Sequence, residues 1–294
     1  MGKRYYIILG ILALLFILVN ANTPEVVNWK PTFRKKDKNP YGAEVTYAFL
    51  EDVFGEGNVS SNSASPYDYL HANNNEFNII YVAEGIQVSD PDMDAILEFA
   101  EKGNNVFIAA EYVIGKLADT LGISEIYYHA PPYTYEDSVT LSFTNPGFEK
   151  KEYSFGHDNI SNYLVPDTSG KREFVILSES SDYQPHYVKI PWGRGNVYYH
   201  TNPLLFTNFN MLFAANQHTY ISNCLSYLPR QKTIWSEYYS KGNSQEEENA
   251  SELRYILKNP HLRWAWSILI AFILVYIIFQ SRRQIGRASC RERV

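Results

Sequence analysis

Residues 78–110 constrain the fold more than any other part of the chain. Asn78-Ile79-Ile80-Tyr81-Val82-Ala83 is an apolar run that stops short of Gly85, and Asn105-Val106-Phe107-Ile108-Ala109-Ala110 is a second of the same kind. Between them Asp90 precedes Pro91, an order that suits an N-cap followed by a first helical turn. Met93, Ile96, Leu97 and Ala100 then recur at i, i+3, i+4 and i+7, giving one buried helical stripe, and Gly103 stands where a left-handed C-cap belongs. Near-continuous apolar strands are covered on both faces, and two of them joined by a helix form a crossover in a parallel sheet. The expected fold class is α/β, a mostly parallel sheet flanked by helices.

The rest of the chain is read around that unit. Asn39-Pro40-Tyr41-Gly42 opens a helix carrying Val45, Ala48 and Phe49, ended by Gly55 and Gly57. Residues 60–66 read as a polar loop, and 113–121 as a helix closed by Gly122. From 125 to 200 short strand-like runs dominate, and Trp192-Gly193-Arg194-Gly195 reads as a hairpin turn. This part is expected to be an excursion from the sheet or an antiparallel extension of it. Residues 209–228 read as one helix with Phe209, Leu212, Phe213, Asn216, Tyr220, Cys224 and Leu228 on one face, stopped by Pro229. Residues 233–239 return as a last strand.

Both ends are apolar. Residues 5–19 follow Lys3-Arg4 and carry no charge, and residues 264–279 carry none and precede Arg282-Arg283. Each run falls somewhat short of the ~20 residues that span a bilayer comfortably, and flanking Trp264, Trp266 and Tyr276 could extend the second into the interface. The first run also fits a cleavable signal peptide ending near Val19-Asn20-Ala21. The flanking charges place both termini in the cytoplasm and the large middle outside, although Lys30, Arg34, Lys35, Lys36 and Lys38 fall on the outer side. The expected organisation is a signal-anchor at 1–21, an extracytoplasmic α/β domain at 22–240, a polar linker and juxtamembrane helix at 241–262, a second transmembrane helix at 263–281 and a short tail at 282–294. Residues 285–294 have neither periodicity nor an apolar face and read as non-native. The expected location is a membrane, crossed twice.

A net charge of -6 and a pI near 5.7 argue against a nucleic-acid partner, which needs a basic face. The seven histidines and two cysteines are scattered without metal-ligand spacing, so no metal and no cofactor are expected. A parallel sheet of this kind can carry a nucleophile on a sharp strand-to-helix turn, but after Ala110 the chain offers Glu111-Tyr112-Val113, with no Ser, Cys or glycine pair. Two stretches suit an interaction surface: Lys38, Asn39, Pro40, Tyr41 and Gly42 before a helix, and Trp235, Glu237 and Tyr238, aromatic around a carboxylate. Their plainer readings are a helix entry and an edge strand.

These stretches, in this order, resemble the DUF4350 family of bacterial membrane proteins, best represented in Bacteroidetes. The resemblance runs through Trp29-Lys30-Pro31-Thr32-Phe33, Lys38-Asn39-Pro40-Tyr41-Gly42, Asn202-Pro203-Leu204-Leu205-Phe206-Thr207-Asn208, Trp235-Ser236-Glu237-Tyr238-Tyr239 and Leu262-Arg263-Trp264-Ala265-Trp266. It adds Asn208 to the candidate residues. In the family an acidic residue commonly follows the Trp, where this chain has Ser236. The resemblance implies a class I glutamine-amidotransferase-like (flavodoxin-like) fold without a matching nucleophile. It also implies a neighbourhood of MoxR-type AAA ATPases and von Willebrand-type membrane proteins. The leading expectation is a membrane-anchored, non-catalytic module that binds partner proteins. A small-ligand or glycan-binding domain, with its site at the strand ends near Gly85 and Glu111, is the alternative. A hydrolase using Glu84, Glu111 or Glu237 comes third.

Overall fold

The structure, a computed structural model, describes residues 27–73, 75–127, 138–148, 152–156, 160–166, 172–213, 217–240, 262–272 and 276. The chain divides into two compact units, Met1–Lys241 and Gly242–Val294. In the second, residues 262–272 are helical with Ile268, Leu269, Ile270 and Phe272 exposed. No helix among the described residues is long and apolar enough to cross a membrane. The run at 5–19, the linker at 241–261 and the tail at 282–294 lie outside the described residues, as do 273–275 and 277–279 of the second run.

The first unit is a mixed α/β body built on a nine-stranded sheet, ordered β1-β13-β2-β4-β12-β11-β10-β7-β8. The parallel half comprises β1 (Val59–Asn62), β13 (Thr233–Ser236), β2 (Asn78–Val82), β4 (Asn105–Ala109) and β12 (Gly195–His200). The unit expected from residues 78–110 is present: β2 and β4 pair in parallel with Asn78 opposite Asn105, and α3 (Asp90–Glu101) connects them. An antiparallel extension follows, of β11 (Pro185–Trp192), β10 (Val175–Ser180), β7 (Ser138–Phe143) and β8 (Glu152–Gly156). The β11–β12 loop is Gly193-Arg194 with φ +59° at Gly193, so the hairpin turn falls where the sequence puts it. Two small ladders lie beside the sheet: β3 (Gly85–Gln87) with β5 (Tyr112–Ile114), and β6 (Ile123–Tyr127) with β9 (Asn162–Pro166).

Period-two alternation splits the core into two layers. Ile80, Val82, Phe107, Ala109, Tyr198 and Trp235 face one layer, covered by α1 (Glu44–Phe54) and α6 (Gln217–Leu225) through Leu50, Phe54, Ile221 and Cys224. Ile79, Tyr81, Val106, Ile108, Tyr199 and Ile234 face the other, covered by α2 (Pro66–Ala72), α3 and α4 (Lys116–Leu121) through Leu70, Ile96, Phe99 and Leu117. Each fully buried aliphatic or aromatic side chain here contributes about 1.5–3 kcal/mol.

Several local expectations are corrected. Ser89, not Asp90, caps α3: its Oγ accepts from the Asp92 amide (3.3 Å) and donates to Asp92 Oδ2 (2.7 Å). The loop expected at 60–66 holds the polar strand β1 and the Ser65 cap of α2, because β13 supplies backbone pairing that side chains do not announce. Residues 113–121 divide at Gly115 (φ +107°) into β5 and α4. Of the helix expected over 209–228, Asn208–Phe213 (α5) and Gln217–Leu225 (α6) are helical and residues 214–216 lie outside the described residues, while Leu212 is exposed rather than on the buried face. In α1 the buried side chains are Thr46, Leu50 and Phe54, rotated from the Val45, Ala48 and Phe49 stripe.

Candidate functional site at the carboxyl edge of the sheet

In open α/β sheets ligands favour the carboxyl ends of the strands, and here that edge has two halves. At β1 and β13 it is bridged by a strap, residues 27–43. The strap folds back on itself: the Thr32 and Phe33 amides donate to the Tyr41 carbonyl (3.0 and 3.1 Å), and the Ala43 amide donates to the Arg34 carbonyl (2.9 Å). Its plug is Phe33, fully buried in the first core layer with φ +55°, a conformation that costs a non-glycine residue free energy and persists because packing over-determines it. At β13 the Lys35 amide donates to Glu237 Oε1 (3.0 Å). The Lys35 ammonium reaches Ser61 Oγ on β1 and sits over the Tyr47 ring, 5.2 Å from its centroid.

The motif residues meet at the other end of the strap. Asn208, 4% exposed at the start of α5, accepts from the Val45 amide through Oδ1 and donates through Nδ2 to the Asp37 and Asn39 carbonyls, all at 2.8 Å. Its amide donates to the Gly42 carbonyl (2.9 Å), and the Phe209 amide donates to the Pro40 carbonyl (2.8 Å). Asn208 thus caps α1 from a distance of over 160 residues in sequence, where Ala43 at the N-cap offers no side-chain acceptor. Gly42 is obligatory: a Cβ there would collide with the Asp37 carbonyl. Asn39 Nδ2 donates to the Lys30 carbonyl (2.8 Å), while Lys38 is exposed and faces Glu44 at 3.8 Å. Tyr41 stacks edge-on with Trp29 (5.7 Å) and Phe209 (6.1 Å), and Trp29 with Phe209 (5.6 Å).

The second expected stretch divides. Trp235 is 1% exposed on β13, an interior strand between β1 and β2, so neither the edge-strand reading nor an interface role holds for it. Glu237 holds the strap, and Tyr238 is exposed with its ring against Tyr239 (4.9 Å). Lys38, Asn39, Pro40, Tyr41, Gly42, Asn208 and Glu237 are therefore brought to one edge, chiefly as the parts that fasten the strap.

The other half of the edge, beyond β2, β4 and β12, is lined with acids. The Glu111 amide donates to the Glu84 carbonyl (2.9 Å), linking the turns after β4 and β2. Ser161 Oγ donates to Glu111 Oε1 (3.1 Å), and Asn162 Nδ2 donates to the Glu111 carbonyl. Tyr199 OH lies 2.5 Å from Glu125 Oε1 and 3.0 Å from the Ala110 carbonyl. Burial raises the pKa of Glu111 and of Glu125 above the usual carboxylate value, against the opposing hydrogen bonds from Ser161 and Tyr199. Burial, reinforced by Glu125, raises the Tyr199 phenol well above its ordinary value. One hydroxyl proton serves one acceptor, so a protonated Glu125 can donate to Tyr199 while Tyr199 donates to Ala110.

Sequence reasoning missed a polar chain just past β12. The Asn202 amide donates to His200 Nδ1 (3.0 Å), which fixes the proton of neutral His200 on Nε2. From there the chain runs to Tyr220 OH (3.0 Å) and on to Ser178 Oγ (3.0 Å). Asn202 Nδ2 lies 3.0 Å from His186 Nδ1. Desolvation depresses both imidazoles, His186 to about 3 and His200 well below its ordinary value. Both rings are fully buried and neutral, so the chain specifies packing and meets no solvent-borne substrate. Two cavities open away from this edge: about 290 Å³ among His71, Glu98, Lys102 and Arg194, and about 380 Å³ between α1 and α6. Among the described residues no group of His, Cys, Asp and Glu could hold a metal ion.

Fold and edge together define a mixed α/β domain whose own N-terminal strap is fastened across part of its ligand-favoured edge. The chain belongs to the DUF4350 family, described as a domain of unknown function, whose profile matches residues 35–224. No curated protein matches it. Among solved structures, a β-galactosidase from Bacillus circulans sp. alkalophilus overlaps 51% of this chain at 15% identity and a TM-score of 0.33. This chain spans about a fifth of that enzyme, 22% of its length. An exo-β-1,4-mannosidase from Opitutaceae bacterium strain TAV5 overlaps 52% of this chain and 24% of its own, at 14% identity and a TM-score of 0.34. The mmIFT52 N-terminal domain overlaps 62% of this chain and 89% of its own, at 10% identity and a TM-score of 0.45. Overlaps this slight carry no argument about activity.

Proposed function

We propose that the chain is a membrane-tethered, non-catalytic interaction module, held at the bacterial inner membrane by its terminal apolar runs with the α/β domain outside the cytoplasm. The amidotransferase-like fold and the two-pass arrangement belong to this proposal. The observation that carries it is the fastening of the strap, by Phe33, Lys35 and Asn208, over the strand ends at β1 and β13. The turn after β4, where such a sheet can carry a nucleophile, instead holds Glu111, half-buried and bonded to Ser161. The partner-binding face is the outer side of the β6–β9 ribbon, where Ile126 and Val165 are exposed. Exposed apolar side chains on one sheet face suit a protein contact. The family neighbourhood makes a MoxR-type AAA ATPase or a von Willebrand-type membrane protein the partner to look for.

The test places a photo-crosslinking side chain at Ile126 in the full chain in native membranes. Capture of a membrane-complex subunit at Ile126, and not at Tyr183 on the β10–β11 turn, is expected. Equal yields at both positions, or capture of nothing, contradicts the module reading.

A second reading is favoured by Glu111 and Glu125, two half-buried carboxyls with raised pKa on one edge. They suit a neutral polar ligand such as a glycan. Saturable binding of an oligosaccharide that is abolished by Glu111→Gln would establish it.

A further inference from the structure

We infer that the strap is a lipid-docking surface, which seats Trp29 and its neighbouring lysines on an anionic bilayer. This rests on the reading of residues 5–19 as a membrane tether. Trp29 is 51% exposed yet held in place by edge contacts to Tyr41 and Phe209. Val27 beside it on the strap is exposed, and so is Leu212, three residues after Phe209 on the same face of α5. An aromatic cluster fixed in place and left in water is unlike the single apolar residues that dot any surface.

Charge identifies the occupant. Between 27 and 43 stand Lys30, Arg34, Lys35, Lys36 and Lys38 against Asp37 alone, five cations minus one anion for +4, in a chain whose total is -6. Lys30, Lys36 and Lys38 are exposed. The chain as a whole is repelled by an anionic surface, and the strap is a strongly basic segment within it. Trp and Tyr settle at the headgroup level, and juxtamembrane lysines are drawn to anionic lipid.

Chain length restricts where the strap can go. Only residues 20–28 separate Val19 from Trp29, so at full extension Trp29 lies at most about 35 Å from the end of the apolar run. A tether that short keeps the strap at high effective concentration near the headgroups, so weak contacts suffice to orient the domain.

The experiment reconstitutes the full chain into vesicles of phosphatidylcholine alone or with phosphatidylglycerol, carrying brominated acyl chains as quenchers. The chain has five tryptophans, so the Trp29 signal is taken as the difference from Trp29→Phe, which keeps an aromatic ring in the cluster. Bromolipid quenching of that signal is expected in phosphatidylglycerol vesicles, with loss in high salt. Lys36→Gln and Lys38→Gln are each expected to weaken docking about fivefold. Equal accessibility of Trp29 to aqueous iodide in both vesicle types overturns the inference. So does shielding that appears only as the protein-to-lipid ratio rises, which marks a second copy as the occupant. Alkaline extraction separates the two readings. A chain that is extracted but still floats with phosphatidylglycerol vesicles loses the tether and keeps the docking surface. A chain that resists extraction with Trp29 unquenched loses only the docking surface.

Discussion

Asn208→Ala is the sharpest perturbation the structure offers, because one nearly buried side chain fastens three separate backbone groups. The substitution removes the acceptor of the Val45 amide and the donors to the Asp37 and Asn39 carbonyls. A net loss of about 0.5–1.5 kcal/mol per hydrogen bond, with the Val45 amide left uncapped at the start of α1, gives about 2–4 kcal/mol. For a domain of this size that lowers Tm by roughly 5–15 °C. Urea unfolding of the full chain in detergent, followed by circular dichroism, reads the global term. Acrylamide quenching of Trp29 reads the strap, and it is expected to rise in the variant. Asn208→Asp is the discriminating partner: it keeps an acceptor for Val45 but turns two donors into oxygens facing carbonyls. It is expected to be at least as destabilising at neutral pH, with partial recovery once the carboxyl is protonated. A loss under about 0.5 kcal/mol with unchanged Trp29 quenching refutes the clamp, since that is the range of a featureless surface substitution.

Gly42→Ala is expected to destabilise by more than about 2 kcal/mol, because the new Cβ meets the immovable Asp37 carbonyl; denaturant titration showing under about 1 kcal/mol contradicts the close approach. Burial lifts the folded pKa of Glu111 and Glu125 above 4.5, so the native chain holds more protons than the unfolded one just above that pH. Their contribution to stability is present below 4.5 and lost as pH rises through the folded value. Glu111→Gln is accordingly expected to flatten this slope and to stabilise the chain at neutral pH, and a steeper slope in pH-dependent melting counts against it. His186 runs the opposite way: with its pKa lowered from 6.5 to about 3, its stabilisation is full above 6.5 and is lost as pH falls toward 3. His186→Gln is expected to reduce acid sensitivity across that window, and an unchanged acid limb of the melting profile shows that His186 is not its source.

The parallel core was legible because β2 and β4 are apolar on both faces and α3 carries a full helical stripe, so local pattern and burial agree. Strand β1 was not, since Val59-Ser60-Ser61-Asn62 owes its pairing to β13, more than 170 residues away. Trp235 followed the same rule in reverse: its aromatic neighbours suggested a surface, and β1 on its far side makes it core. The motif residues from Lys38 to Gly42 and Asn208 stood apart in the sequence, but their meeting is a long-range fact that no periodicity encodes. Phe33 stood in the first motif of the resemblance, but its left-handed backbone was not legible, because burial rather than residue type imposes it. The histidine chain was invisible for a related reason: His186 and His200 come together only when β11 and β12 pair.

The strap is a fixed part of the domain rather than a loop lying on it. Amide hydrogen exchange on the full chain, resolved at Thr32, Phe33, Lys35 and Ala43, measures this directly. Each of these amides donates to a partner within the strap or on Glu237, and each is expected to exchange on the timescale of the β13 and β2 amides. Exchange of the four at unfolded-chain rates while β13 and β2 stay protected contradicts the account, because the carboxyl edge at β1 and β13 is then open for a ligand.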